Sequence, residues 1–195
     1  MHVIFVNGLI GAGKETIIRY FQEVLTNKGY KVKIILEPVE LWRKSGMLER
    51  LYKGEYFEFQ KFAISSRIDI MKFEEYDFVF IETNPLVDLN VYAKTTLTDE
   101  EFQQYTKHWE NEMKRLPFNI EECSNLFINI EPELSLKRIG IRSRNEESKI
   151  SLDYLQKLDY AHLRLNISLA PDIITNNCNI CDNEEIKKYI CVLEQ

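Results

Sequence analysis

The feature that most constrains this chain is a glycine-rich loop near its start, Gly8-Leu9-Ile10-Gly11-Ala12-Gly13-Lys14. It fits the pattern G-x-x-x-x-G-K and lies between a strand-like apolar run (residues 2–7) and a segment with helical spacing of apolar residues (15–28). In that context the backbone N–H groups of the loop surround phosphate, and the helix N-terminus adds partial positive charge. We therefore expect a nucleoside triphosphate here, with Lys14 on its β- and γ-phosphates.

One position departs from the usual loop. The residue after the lysine is normally Ser or Thr, whose hydroxyl binds Mg²⁺, but here it is Glu15, followed by Thr16. A carboxylate is a good Mg²⁺ ligand, and it is also an anion close to a polyanion. Two arrangements stay open: Glu15 contacts the metal, or it points away and the metal relies on other ligands.

Strand-like and helix-like segments alternate along the rest of the chain. Apolar runs predict strands at residues 2–7, 31–36, 77–82, 125–130 and 172–175. Helical spacing predicts helices at residues 15–28, 41–52, 56–75, 98–115, 132–142 and 152–163, and a last helix opening at Asp182. Thr98 and Glu101 predict a capping box. The alternation indicates a single α/β domain over residues 1–195, with a central parallel sheet of about five strands flanked by helices and the phosphate-binding loop (P-loop) after the first strand.

Charge and hydropathy argue against two kinds of partner. The formal net charge is −6, whereas a protein that binds a nucleic-acid backbone needs a broad basic face. No apolar run approaches the length of a membrane span. A strand-like segment begins at His2, which leaves no room for a targeting peptide. We expect a cytoplasmic protein with no nucleic acid and no membrane as partner.

A carboxylate follows the second predicted strand. Ligands of parallel α/β sheets bind beyond the carboxyl ends of the strands, and Glu37 lies at such an end. It is well placed as a general base for an acceptor hydroxyl. Taken alone, a glutamate at a strand end is more often a solvated residue.

Further motifs follow in order through nearly the whole chain. They are Glu37-Pro38-Val39 with Trp42, Tyr52, Phe57-Glu58-Phe59-Gln60, Ser66-Arg67, Phe80-Ile81-Glu82, Asp88, Ala93, Tyr105, Trp109, the run from Arg138 to Glu147, and residues 152–158. Together they resemble the deoxyribonucleoside kinase family, which includes deoxycytidine, deoxyguanosine and mitochondrial thymidine kinases.

The resemblance implies a role for each matched residue. The triphosphate contacts are Gly8, Leu9, Ile10, Gly11, Ala12, Gly13, Lys14, Glu15, Thr16, Arg138 and Arg142. The deoxynucleoside contacts are Glu37, Trp42, Tyr52, Phe59, Gln60, Arg67, Asp88 and Glu147. The catalytic set is Lys14, Glu37, Glu82, Arg142 and Arg144, in which Glu37 accepts the proton of the 5′-hydroxyl. Glu82, joined by Glu15, is the candidate Mg²⁺ ligand.

Three arginines form a basic patch in this acidic chain. Arg138 and Arg142 are four residues apart and share a helix face, and Arg144 lies just beyond. The resemblance makes them an arginine-rich lid over the transferring phosphoryl group, where spread positive charge is needed. A solvated basic helix is the alternative.

The implied reaction is phosphorylation of a deoxyribonucleoside at its 5′-hydroxyl, with ATP as donor, Mg²⁺ as cofactor and a homodimer as the assembly. The pair Arg67 and Asp88, with the small Ala63 nearby, resembles the enzymes for deoxycytidine and for purine deoxynucleosides. An Arg–Asp pair offers fixed donors and acceptors to an amino-bearing base edge, and thymine would leave polar groups unpaired. We therefore expect those substrates over thymidine.

Two positions near the site depart from the family pattern. Thr83 stands where the family usually has an arginine, and Leu89 stands where an arginine usually follows the aspartate. Losing a positioned cation at a transferring phosphate lowers the rate. Two alternatives therefore stay open, a catalytically impaired homologue that binds nucleosides and a nucleoside monophosphate kinase of the thymidylate type.

Overall fold

The computed structural model describes residues 1–144, 147–177 and 183–194. Its centre is a five-stranded sheet of β1 (His2–Gly8), β2 (Val32–Ile35), β3 (Phe78–Glu82), β4 (Ser124–Asn129) and β5 (Asp172–Thr175). The strand order is β2-β3-β1-β4-β5, and every pairing is parallel. The predicted α/β fold with a parallel sheet of about five strands is confirmed.

Helices connect the strands. They are α1 (Lys14–Asn27), α2 (Val39–Lys44), α3 (Met47–Tyr52), α4 (Tyr56–Ile70), α5 (Pro85–Val87), a π-helix (Asp88–Ala93), α6 (Lys94–Thr96), α7 (Asp99–Met113), a 3₁₀ turn (Ile120–Glu122), α8 (Pro132–Arg142), α9 (Leu152–Leu169) and α10 (Glu184–Leu193). The capping box at Thr98 and Glu101 is present at the start of α7.

Successive side chains of a strand point to opposite faces of the sheet, and helices cover both faces. On β1, Ile4 and Val6 belong to a core cluster with apolar residues of α1, α9 and α10. Val3 and Phe5 belong to a second cluster with apolar residues of α4 and α7. The sheet is therefore buried between two helical layers, and ligands can approach only at its ends.

Several segments differ from the sequence prediction, among them residues 85–96, which are helical although no helix was predicted there, and α9, which continues to Leu169 beyond the predicted end at residue 163. The helix predicted over residues 41–52 is two short helices, because Gly46 adopts φ +74 and ends the run. The helix predicted over residues 56–75 ends at Ile70, since Met71 is buried and turns the chain back towards the sheet. The final helix begins at Glu184 with Asn183 as its cap, and Asp182 lies outside the described residues.

Three asparagines link β1, β4 and the turn that follows β3. Asn7 accepts a hydrogen bond from the backbone N–H of Asn84 at 2.8 Å. Asn125 Oδ1 accepts from the side-chain amides of both Asn84 (2.8 Å) and Asn7 (3.2 Å). These contacts hold the turn that follows β3 beside the glycine-rich loop that follows β1.

In the part of the chain that the structure describes, no helix is long and apolar enough to cross a membrane.

Candidate active site

A cavity of about 630 Å³ opens at the carboxyl edge of the sheet. Its lining includes nearly all of the residues that the sequence analysis selected: Ile10, Gly11, Gly13, Lys14, Glu15, Thr16, Glu37, Trp42, Tyr52, Phe59, Gln60, Arg67, Glu82, Asp88, Arg142, Arg144 and Glu147. Four selected residues, Gly8, Leu9, Ala12 and Arg138, are not part of the lining. Tyr92 and Tyr154 line the cavity and were not predicted.

The loop between β1 and α1 needs glycine for steric reasons. Gly8 has φ +147, and a Cβ there would lie 2.7 Å from the carbonyl oxygen of Ile128. Gly11 has φ +83, and its Cβ would lie 2.9 Å from the carbonyl oxygen of Ser135. The loop thus packs directly against the β4 and α8 backbone, which holds its N–H groups in place.

Lys14 is buried at the cavity end of this loop. Its Nζ donates to the carbonyl oxygens of Gly8 and Leu9, at 3.2 Å each. The same Nζ lies 3.9 Å from Glu82 Oε1. The cation is therefore held where the loop can receive a phosphate.

Side chains from outside the loop brace its carbonyl groups. Ser135 donates to the Ile10 carbonyl, and Asn176 Nδ2 donates to the Ala12 carbonyl at 2.7 Å. Arg138 donates to the Asn176 carbonyl at 2.9 Å, so its guanidinium lies behind the loop. The contact of Arg138 with a triphosphate stays a prediction. Ser135 and Asn176 carry no sequence signal, because their partners are backbone atoms more than a hundred residues away.

Glu15 lines the cavity and pairs with a residue of its own helix. Its carboxylate is half exposed and lies 2.8 Å from Arg19, one turn along α1. Its contact with Mg²⁺ stays a prediction.

Glu37 lies beyond β2 and receives two hydrogen bonds on one oxygen. Arg67 Nη2 donates to Oε1 at 2.6 Å, and Thr83 Oγ1 donates to the same atom at 2.8 Å. Burial would raise the pKa of Glu37, but the charges of Arg67 and Lys14 and these hydrogen bonds outweigh burial and lower it. Glu37 is therefore ionised at neutral pH, as a general base must be.

Glu82 ends β3 beside Glu37, and its Oε2 accepts the backbone N–H of Glu37 at 3.3 Å. Burial and the neighbouring Glu37 carboxylate raise the pKa of Glu82 to about 7, although Lys14 opposes the shift. The cavity thus presents two adjacent carboxylates beside Lys14.

The residues present fit a Mg²⁺ ion whose remaining ligands are substrate phosphates and water. Among the described residues, no group of three or more His, Cys, Asp or Glu side chains could hold a metal by itself. Mg²⁺ in phosphoryl-transfer sites is bound by one or two carboxylates together with substrate phosphates and water. Glu82 supplies one such carboxylate next to Lys14.

The far end of the cavity combines an ion pair with aromatic walls. Arg67 Nη1 donates to Asp88 Oδ1, and both side chains are almost fully buried. Trp42 packs edge-on against Phe59 at 5.4 Å, and the Arg67 guanidinium lies over the Trp42 ring at 5.1 Å. Trp42 is fixed in turn by its indole N–H, which donates to Ser66 at 2.8 Å.

Two buried atoms of the ion pair have no hydrogen-bond partner among the described residues, Arg67 Nε and Asp88 Oδ2. One is a donor and the other an acceptor. Asp88 opens the π-helix, a geometry that often occurs at functional sites. The pair can therefore offer complementary hydrogen bonds to a flat polar group placed between the aromatic walls.

The arginines at the end of α8 are paired within the chain. Glu147 receives hydrogen bonds from Arg142 at 2.7 and 2.5 Å, and Arg144 lies 3.5 Å from the same carboxylate. Glu147 is buried, so these contacts hold both cations at the cavity rim. A lid that closes over a ligand remains a prediction.

Comparisons with known proteins agree with this layout. The family model described as deoxynucleoside kinase matches residues 4–191. The chain is 28% identical over 173 residues to a probable deoxycytidine kinase of fowlpox virus (strain NVSL), covering 82% of this chain and 69% of the viral protein. It is 27% identical over 236 residues to deoxycytidine kinase of Homo sapiens, covering 98% of this chain and 88% of the human one. It is 28% identical over 205 residues to deoxyadenosine kinase of Dictyostelium discoideum, covering 96% and 77%.

Proposed function

The chain belongs to the deoxynucleoside kinase family, and we propose that it transfers the γ-phosphoryl group of ATP, with Mg²⁺, to the 5′-hydroxyl of a deoxyribonucleoside. The observation that carries the proposal is the arrangement of one cavity. Lys14 and the glycine-rich loop line it together with Glu37, and Glu82 lies against both: its carboxylate is 3.9 Å from Lys14 Nζ and accepts the backbone N–H of Glu37 at 3.3 Å. A γ-phosphate held by the loop would therefore lie close to a hydroxyl that is hydrogen-bonded to Glu37.

The residues of the chain supply positioning and charge for this step. Glu37 accepts the hydroxyl proton as the new O–P bond forms and the bond from the γ-phosphorus to the bridging oxygen of ATP breaks. Lys14 and the loop N–H groups hold the phosphates, and Arg142 and Arg144 lie at the rim of the same cavity. Glu82 would hold Mg²⁺, and the ion would offset the negative charge of the phosphates.

The base-binding end favours deoxycytidine or a purine deoxynucleoside over thymidine. Cytosine presents an acceptor at N3 beside an amino donor at N4, which complements the donor of Arg67 and the acceptor of Asp88. Thymine presents a donor and an acceptor in the reversed order. Gln60, which is buried in the cavity wall, is a further polar contact for the base edge.

A direct assay tests the proposal. The purified chain is incubated with radiolabelled ATP, Mg²⁺ and each of the four deoxynucleosides in turn. We expect labelled monophosphate from deoxycytidine or a purine deoxynucleoside, and none from the variants Glu37→Gln and Lys14→Ala. A clear preference for thymidine would refute the base assignment, and the absence of product from all four would refute the kinase assignment.

The impaired-binder alternative has one observation in its favour. Leu89 packs in the second core cluster instead of offering a cation, and Thr83 is uncharged. Thermal unfolding with each deoxynucleoside separates the two functions, because a ligand that binds only the folded chain raises its unfolding temperature. Stabilisation without labelled product would favour the binder. The monophosphate-kinase alternative is not supported by the acceptor end, where the charged groups beside Arg67 are the carboxylates of Glu37 and Asp88.

A further inference from the structure

We propose that Thr83 is a positioning residue for the Glu37 carboxylate, and that it keeps this carboxylate aligned while Arg67 binds the nucleobase. The inference rests on the proposed kinase function. It concerns a position at which this chain has a threonine in place of the arginine that the family pattern favours, and it gives that threonine a defined task.

Both donors to Glu37 bind the same oxygen. Arg67 Nη2 and Thr83 Oγ1 lie 2.6 and 2.8 Å from Oε1, and no donor of the described residues contacts Oε2. A carboxylate held through one oxygen presents the other in a fixed direction. The geometry therefore assigns Oε2 as the atom that accepts the proton of the acceptor hydroxyl.

The conformation of Thr83 is unusual for its residue type. It has φ +70, although a β-branched residue strongly disfavours positive φ, and its side chain is buried. Such a conformation costs about 1–3 kcal/mol and persists only where the surroundings determine it. Here the Thr83 N–H donates to the Val6 carbonyl at 3.0 Å, and the next residue, Asn84, is held by its hydrogen bonds to Asn7 and Asn125. The strained backbone aims Oγ1 at Glu37.

A second donor is needed because Arg67 has two tasks. Its Nη1 pairs with Asp88 at the base-binding end, while its Nη2 holds Glu37 at the reacting end. A nucleobase that hydrogen-bonds to the Arg67 guanidinium would compete with Glu37 for its N–H donors. Among the described residues, Thr83 forms no hydrogen bond with Arg67 or Asp88, so its hydrogen bond to Glu37 does not depend on the groups that would bind the base.

The test compares Thr83→Val, which keeps the branched shape and removes the hydroxyl, with Thr83→Ser, which keeps the hydroxyl. We expect kcat for deoxycytidine to fall about ten- to a hundredfold in Thr83→Val, as for other small displacements of a reacting group. KM should change little, and Thr83→Ser should retain most of kcat. Thermal unfolding verifies that each variant is folded, and Thr83→Ala replaces Thr83→Val if the latter does not fold.

Three results would overturn the inference: wild-type kcat in the variant without a hydroxyl, an equal loss in Thr83→Ser, or a loss confined to KM. Crystal structures of the wild-type chain and of Thr83→Val add a measurement that needs no turnover. We expect the Glu37 carboxylate to leave its position when the hydroxyl is removed, and an unchanged position would also overturn the inference. If the wild-type chain phosphorylates none of the four deoxynucleosides, the proposed function fails, while these crystal structures still decide the role of Thr83.

Discussion

Replacing Arg67 by methionine should destabilise the fold far more than loss of an ordinary ion pair. The Arg67 side chain is 5% exposed, and the two carboxylates that it contacts, Asp88 and Glu37, are 1% and 19% exposed. Methionine has a similar length but no charge, so the variant leaves Asp88 buried without a counter-charge. Removing one partner of a buried pair costs about 3–5 kcal/mol. For a chain of this size, that corresponds to a fall of roughly 6–20 °C in the unfolding temperature.

A double-mutant cycle isolates the charge from the loss of packing. In Arg67→Met/Asp88→Asn the stranded negative charge is also removed, so the double variant should be more stable than Arg67→Met by about 1–3 kcal/mol. The free energies of unfolding are measured in urea at pH 7 for the wild type, both single variants and the double variant.

The chain offers a matched control in Arg50, which pairs with Glu55 at 2.6 Å with both side chains more than 40% exposed. Arg50→Met should change the free energy of unfolding by less than about 1 kcal/mol. The reasoning fails if Arg67→Met costs no more than this control. It also fails if the two substitutions in the cycle are simply additive.

Three further predictions concern stability. In Gly8→Ala the backbone has φ +147 and the added Cβ lies 2.7 Å from a β4 carbonyl oxygen, so the free energy of unfolding in urea should fall by at least about 1–3 kcal/mol. The loss should exceed that of the control Gly46→Ala, where φ is +74 and no atom lies within 4 Å of the added Cβ. Equal losses would contradict the packing argument. Burial and the charge of Lys14 lower the pKa of His162 to about 3, so the unfolded chain binds the proton more readily than the folded chain. As the pH falls from 6.5 to 4.5, the free energy of unfolding should therefore decrease by about 2 kcal/mol more in the wild type than in His162→Leu. An equal decrease in both proteins, measured by urea unfolding, would refute this. The raised pKa of Glu82 has the opposite effect on the pH dependence of stability, because the folded chain binds the proton more readily and stability is lost as the pH rises through about 7. Glu82→Gln should therefore stabilise the ligand-free chain by roughly 2–3 kcal/mol more at pH 8 than at pH 4, measured by urea unfolding. A stabilisation that does not vary with pH would contradict this.

Features that depend on near neighbours in the chain were predictable from sequence. The glycine-rich loop, the five strands and the capping box at Thr98 each depend on residues a few positions apart, and each is present in the structure. The selected site residues follow strand ends or lie on motif-bearing helices. A parallel sheet brings such positions to one edge, and most of them line one cavity.

The features that escaped prediction depend on partners distant in sequence. Nothing near Thr83 indicates that its hydroxyl bonds Glu37, 46 residues away, or that its φ is positive. The brace from Asn176 to the Ala12 carbonyl spans 164 residues and ends on a backbone atom, which leaves no trace in residue type. The π-helix from Asp88 to Ala93 lies between the strand predicted at residues 77–82 and the helix predicted at residues 98–115, where the sequence analysis predicted neither a helix nor a strand.

The central position of β1 in the sheet has a consequence for how the chain reaches its fold during synthesis. β1 is made before both of its neighbours in the sheet, β3 and β4, where His2 meets Phe78 and Ile4 meets Ser124. At about 5–20 residues per second, the ribosome needs several seconds to supply even the first of these partners. Throughout that interval the apolar β1 lacks both of its native partners, which makes it a candidate for chaperones that shield nascent chains.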